Sequence, residues 1–205
     1  MGNSGPAAID NKRDDLLVEA FRRGDGTAFD ELYGRYKDRM LNYIYRMVGD
    51  KAAAEDLAQE TFISIHMNIG SYRPQGQFKS WVYKIASNLA KNELRRRSYK
   101  MNVSISAAIH SGDKDLTLED TLASGDRSAE AAAENEELKK SVEDTIGSLP
   151  PKYREVLILC VMDGLSYDEA AKALHTNVKT VSSRLARARA IFIKRMKETE
   201  GRDAG

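Results

Sequence analysis

Apolar positions recur every three or four residues along most of this chain, the period that sets one side of an α-helix against a core. Leu16, Leu17, Ala20 and Phe21 share a face over 14–23, and Phe29, Leu32, Tyr33, Tyr36, Met40, Tyr43, Ile44 and Met47 share one over 27–48. The period continues over 51–69 and 78–97, fails from about 98 to 128, and returns from about 129 to 197. No stretch alternates apolar and polar positions long enough to predict a strand. The expected fold is all-α, with two small helical domains at 10–97 and 130–197. A flexible linker at 98–129 joins them, because SISAAIHSGDKDLTLEDTLASGD has the Ser, Gly and Asp content of a tether.

Charge sharpens this division. The formal net charge is only +1, yet 79–100 carries seven basic residues against the single acid Glu93, and 172–197 carries eight with no acid. Between them, 113–144 holds eleven acids against four bases. Two cationic patches separated by an acidic stretch fit two modules touching one extended polyanion, with a tether that does not adhere to it.

Chemistry of other kinds finds little support. One cysteine, Cys160, excludes an internal disulfide, and His66, His110 and His175 are too scattered for a metal-ligand spacing. Neither a metal nor a cofactor is expected. The apolar run 156–162 is too short to span a bilayer, and the first fifteen residues lack the apolar centre of a signal peptide, so a cytoplasmic protein is expected. No phosphate-binding GxxxxGK[ST] loop and no nucleophile–base constellation occurs, so enzyme activity is not expected.

The basic segment near the C-terminus reads as a helix-turn-helix. In LSYDEAAKALHTNVKTVSSRLARAR, Ser166 and Glu169 form a capping box that starts a short helix carrying Ala170, Ala171 and Leu174 inward. His175, Thr176 and Asn177 break the period, and Asn177 caps a second helix from Val178. On that helix Val178, Val181, Leu185, Ala188 and Phe192 fall on one side. Lys179, Ser183, Ala186, Arg187, Ala190 and Lys194 fall opposite, with Thr180 and Ser182 between. Small side chains let a helix sink into a major groove, and arginine offers paired donors to guanine. Arg184 and Arg189, nearer the apolar edges, suit phosphates.

LPPKYREVLILCVMDGLSYDEAAKALHTNVKTVSSRLARAR resembles the promoter-reading C-terminal domain of bacterial sigma factors of the extracytoplasmic-function (ECF) group. AAAEDLAQETFISIHMNIGSYRPQGQFKSWVYKIASNLAKNELRRR resembles their N-terminal domain, and the two stretches follow the family's order. The resemblance implies a protein that binds core RNA polymerase, directs it to −35 and −10 promoter elements and assists strand opening. It also implies a possible anti-sigma partner.

Residue by residue, the resemblance places core-polymerase binding on Asp56, Gln59 and Glu60. Ile63 and Met67 lie on the same face, where they either complete a partner surface or pack on a neighbouring helix. The −10 element falls to the loop and helix that follow, through Tyr72, Arg73, Gln77, Lys79, Tyr83, Lys84, Asn88, Lys91, Asn92, Arg95 and Arg96. Cations interleaved with Asn and Tyr suit a DNA strand, and capturing a flipped base requires no covalent chemistry. Trp81 lies on the apolar side with Phe78, Val82 and Ile85, and is expected in the core. Duplex −35 DNA falls to Lys179, Thr180, Ser182, Ser183, Arg184, Ala186, Arg187 and Lys194. Asn92 stands where the family often has an acid and Lys179 where it often has glycine, which bears on base preference. The competing expectation is a helix-turn-helix regulator acting without polymerase, which would bind a palindrome as a dimer. A nuclease or a pure protein-interaction module are more distant alternatives.

Overall fold

The computed structural model describes residues 11–111 and 131–203, and no strand occurs among them. The N-terminal half consists of α1 (Asn11–Arg22), α2 (Gly26–Val48), α3 (Lys51–Asn68) and α4 (Phe78–Ser111). The C-terminal half consists of α5 (Ala131–Ser148), α6 (Pro151–Leu157), a π-helical turn at Ile158–Met162, α7 (Tyr167–Ala173) and α8 (Val178–Asp203).

Local chemistry explains where most of these helices begin and end. Asp25 caps α2 by accepting from the Thr27 amide at 3.0 Å, and Asp50 caps α3 by accepting from Ala53 at 2.9 Å. Gly49 ends α2 in the left-handed conformation, φ 72°, which a residue without Cβ adopts freely. The helix predicted to stop at residue 97 continues to Ser111. No Gly or Pro interrupts 98–111, so nothing breaks the backbone ladder where the apolar period fails. The rest of the expected linker, 112–129, lies outside the described residues.

Two apolar positions differ from the expected faces of α1 and α2. Leu16 is 65% exposed, and Tyr33 is 45% exposed with its ring set edge-on to Phe62 at 4.7 Å. In α1 the buried positions are Asp14 and Val18. Asp14 accepts from Arg35 at 2.8 Å and from the Tyr36 hydroxyl at 2.6 Å. This polar anchor turns the helix so that Leu16 points to solvent.

In the C-terminal half, the π turn is closed by Asp163 N donating to Ile158 O at 2.9 Å. The capping box of α7 forms as expected: the Glu169 amide donates to Ser166 Oγ at 3.2 Å and the Ser166 amide donates to Glu169 Oε2 at 2.8 Å. Ser166→Ala should lower stability by about 1 kcal/mol in urea unfolding, because one helix-start amide loses its acceptor. The turn contains His175 at φ 50°, and Asn177 Oδ1 accepts from the Thr180 amide at 2.8 Å to start α8.

The halves share one apolar core and pack face to face. α7 lies along α4, while α5, α6 and the π turn meet α2.

Candidate nucleic-acid and partner interfaces

On α3 the inward stripe Ala54, Ala58, Phe62 and Ile65 is buried, with Ile69 just beyond the helix also buried. The opposite face is free: Asp56, Gln59 and Glu60 are exposed, and Ile63 and Met67 are 60% and 77% exposed. Packing of Ile63 and Met67 on a neighbouring helix therefore does not occur among the described residues. What remains is two apolar side chains beside two acids, the composition of a partner surface with a polar rim.

The loop between α3 and α4 is held from below by α1. Tyr72 is buried; its hydroxyl donates to Asp15 Oδ1 at 2.7 Å, and the Gly76 amide donates to Asp15 Oδ2 at 2.6 Å. Arg22 donates to Ile69 O at 2.8 Å and also to Tyr72 O, tying the loop's first turn to the end of α1. Gly76 sits at φ 66°, a conformation that favours glycine. Burial, and then the bond to Asp15, raise the Tyr72 phenol well above its ordinary range. Tyr72 packs against Phe78 and Trp81 at 5.3 and 5.2 Å. Trp81 is half-buried in this aromatic cluster, consistent with the apolar side expected for it. Tyr72 thus supports the loop from inside, leaving Arg73 exposed and Gln77 half-buried at its surface. Asp15 and Arg22 had no signal in the local pattern, since their partners lie about fifty residues away in sequence.

Along α4 the expected outer face divides in two. Asn88, Asn92, Arg95 and Arg96 are exposed, and Lys84 and Lys91 are half-buried. Lys79 and Tyr83, also expected to meet the −10 element, are buried, and so is Ser87. The outward assignment of Lys79 and Tyr83 is corrected, because the C-terminal half docks on that side. Lys79 Nζ reaches Gly164 O at 3.3 Å and Glu169 Oε2 at 3.4 Å, and Ser87 Oγ donates to Glu155 Oε1. Farther along, Arg96 forms a two-pronged pair with Glu93 at 2.7 Å for each bond, and Arg97 adds another at 2.7 Å. Bonds from Arg96 and then Arg97 hold the Glu93 carboxyl down at about 2. Arg95 donates to Asn92 Oδ1 at 3.1 Å.

On α8, Val181, Leu185 and Ala188 are buried, while Lys179, Ser182, Ser183, Ala186, Arg187, Ala190 and Lys194 are exposed; Thr180 and Arg184 are half-buried. Val178, expected on the core side, is 39% exposed. As the first helical residue its side chain leans off the helix start, beyond the neighbours that cover Val181. The exposed strip is cationic and narrow, as groove entry requires. Arg187 also engages the Tyr153 phenol and, with Lys152, lowers its pKa, so α6 adds Lys152 and Tyr153 to this surface. Neither residue was singled out from the sequence.

Among the described residues no group of three or more His, Cys, Asp and Glu side chains is placed to hold a metal ion, and no helix is long and apolar enough to cross a membrane.

Comparison with known proteins places both halves. The sigma-70 region 2 family matches residues 32–99 and the sigma-70 region 4 family matches residues 139–191. The RNA polymerase sigma-H factor of Pseudomonas aeruginosa is 37% identical over 188 residues, covering 88% of this chain and 92% of that protein. The ECF RNA polymerase sigma factor SigW of Bacillus subtilis is 33% identical over 181 residues, covering 88% and 95%. The ECF RNA polymerase sigma-E factor of Escherichia coli is 37% identical over 183 residues, covering 86% and 90%. In fold, the chain is similar to CnrH, solved in complex with the cytosolic domain of CnrY, with TM-score 0.66 and 22% identity, covering 91% of this chain and 98% of that one. It is also similar to the sigma factor RpoE of Bartonella quintana, solved with the anti-sigma factor NepR, with TM-score 0.63 and 20% identity, covering 82% and 96%. With two sigma-70 regions in order and full-length relatives at this identity, the chain belongs to the ECF group of the sigma-70 family of RNA polymerase sigma factors.

Proposed function

We propose that this chain is an alternative sigma factor that carries core RNA polymerase to a two-part promoter and helps open it, acting in the cytoplasm without enzymatic chemistry of its own. In this reading the N-terminal domain, 10–97, docks the polymerase through Asp56, Gln59, Glu60, Ile63 and Met67. It captures the opened −10 strand with the loop at 71–77 and the cationic face of α4. The C-terminal domain, 130–197, lays the start of α8 in the −35 major groove. Each domain alone contributes a weak contact, and joining them through the polymerase raises the effective concentration of the second. An anti-sigma partner, such as the NepR solved with the RpoE of Bartonella quintana, would act by covering these surfaces.

The observation that carries the reading is the pairing of an exposed acidic–apolar face on α3 with an exposed cationic, small-residue strip on α8 in a chain of this family. A regulator working without polymerase would need only the second. Mapping transcript starts with reconstituted holoenzyme tests it directly: defined starts preceded by two shared sequence elements are expected, and random or absent starts would overturn it. Arg187→Ala should lower initiation about tenfold on templates with an intact −35 element and leave core binding unchanged, since one bidentate base contact is worth about 1–3 kcal/mol. An equal loss on templates lacking that element would remove Arg187 from the reading.

A further inference from the structure

We propose that the cleft between the 71–77 loop, the first turns of α4 and the turn after α7 binds a free nucleotide carrying two or three phosphates. The base lies against Trp81, and the phosphates lie among Arg73, Lys84, Lys172 and His175.

The walls of the cleft come from both halves of the chain. Gln77, Ser80, Trp81 and Lys84 follow one another at three- and four-residue spacing, so they form a single stripe along the start of α4. Opposite them stand Lys172 of α7 and His175 and Thr176 of the turn, and Arg73 joins from the loop. The cleft measures about 520 Å³, within the range of roughly 300–1,000 Å³ usual for small-ligand sites.

Its charge is of one sign. Apart from the Tyr72 phenol, every titratable side chain on these walls is basic, and no acid lines them. None of Arg73, Lys84, Lys172 and His175 forms a salt bridge among the described residues. The acids attached to neighbouring residues are engaged already. Asp15 accepts from the Tyr72 hydroxyl and the Gly76 amide, and Glu169 accepts from the Ser166 amide and pairs with Lys79 at 3.4 Å. Three permanent cations and a histidine facing one cleft repel one another, and a multivalent anion relieves that repulsion. A single phosphate brings a charge of only about −2, so two or three phosphates match the site better. Arginine grips phosphate through paired donors, and lysine meets it as a point charge.

Two further features point to an organic ligand and not to counterions alone. Ser80 is 4% exposed, and its hydroxyl, on the cleft wall, is buried without a hydrogen-bond partner. A buried hydroxyl left unpaired is costly, and a ligand oxygen at that wall supplies the partner. Trp81 is only half-buried although it packs on Tyr72 at 5.2 Å and Phe78 at 5.7 Å, so part of an indole remains for the cleft. Planar bases stack on such a surface whatever their identity. Arg73 and Lys84 also belong to the proposed −10 face. On that reading, and only as a consequence that rests on it, a bound nucleotide and the opened strand exclude each other.

Trp81 is the only tryptophan in the chain, so its emission reports on this cleft directly. The test titrates the full-length protein with GTP and with ATP, following Trp81 emission and, in parallel, the heat of binding. A saturable change with matching heat is expected. The double variant Lys172→Gln, His175→Asn should weaken binding about tenfold or more, and so should Arg73→Gln, because each removes charged contacts to phosphate. Asparagine tolerates the left-handed backbone at position 175, φ 50°, and Lys172, His175 and Arg73 are all exposed, so circular dichroism should not change. Guanosine and inorganic tripolyphosphate should each bind more weakly than GTP. No saturable change with either nucleotide, a variant of either wall that binds as tightly as wild type, or tripolyphosphate that matches GTP would overturn the nucleotide site. These titrations contain neither polymerase nor DNA, so they are separable from the promoter reading. Defined transcript starts from a chain that ignores both nucleotides sink only the cleft, and nucleotide binding by a chain whose holoenzyme never initiates sinks only the promoter role.

Discussion

Replacing Asp56 and Glu60 together with lysine is expected to weaken binding to core RNA polymerase by about 100-fold or more, equivalent to roughly 2.7 kcal/mol. Both acids are exposed on α3, and neither forms a salt bridge among the described residues, so the reversal leaves those internal contacts in place. At a docked interface the same change sets two cations where two anions met a complementary surface, and like charges juxtaposed there are strongly unfavourable. Ile63 and Met67 would keep their apolar contact but lose the rim that orients it. Titrating labelled protein with core polymerase measures the loss, and unchanged circular dichroism confirms that α3 is intact. A decrease below about threefold would remove α3 from the proposed interface.

Asp14→Ala is expected to destabilise the protein by about 3 kcal/mol in urea unfolding. The carboxylate is fully buried and bridges Arg35, itself 11% exposed, and the Tyr36 hydroxyl. Removing it leaves a buried phenol without its acceptor and a guanidinium that keeps Glu31, at 40% exposure, among the described residues. The effect should reach the nucleic-acid face. α1 also carries Asp15, which holds Tyr72 and Gly76 in the loop ahead of α4, so loosening α1 loosens the proposed −10 loop. A loss under about 1 kcal/mol would show that α1 is anchored by its apolar contacts instead.

These three residues also mark how far the sequence could be read. Asp56 and Glu60 were identifiable because helical periodicity separates their face from the stripe at Ala54, Ala58, Phe62 and Ile65, and the family resemblance assigns that face to the polymerase. Asp14 was not, because an acid one turn from a Leu-Leu pair reads as surface. Only Arg35 and Tyr36, about twenty residues on, make its burial favourable and turn Leu16 outward. The same contrast runs along the nucleic-acid faces. Arg187 and Lys179 are exposed as expected, since α8 has buried neighbours on one side only. Tyr83 and Ser87 are buried because a second half of the chain covers a side that periodicity leaves polar.

What the sequence by itself determined was local: the all-helical character, the caps at Ser166 and Asn177, the helix-turn-helix, and the family that its motifs resemble. Each depends on residues within a turn or two of one another, where spacing translates directly into geometry. The tertiary structure alone decided which polar residues left solvent. Asp14, Asp15, Glu155 and Lys79 acquire their roles from partners 21, 57, 68 and 90 residues away in sequence. A buried charge is tolerated only when such a partner arrives, and no periodicity in either segment records the pairing.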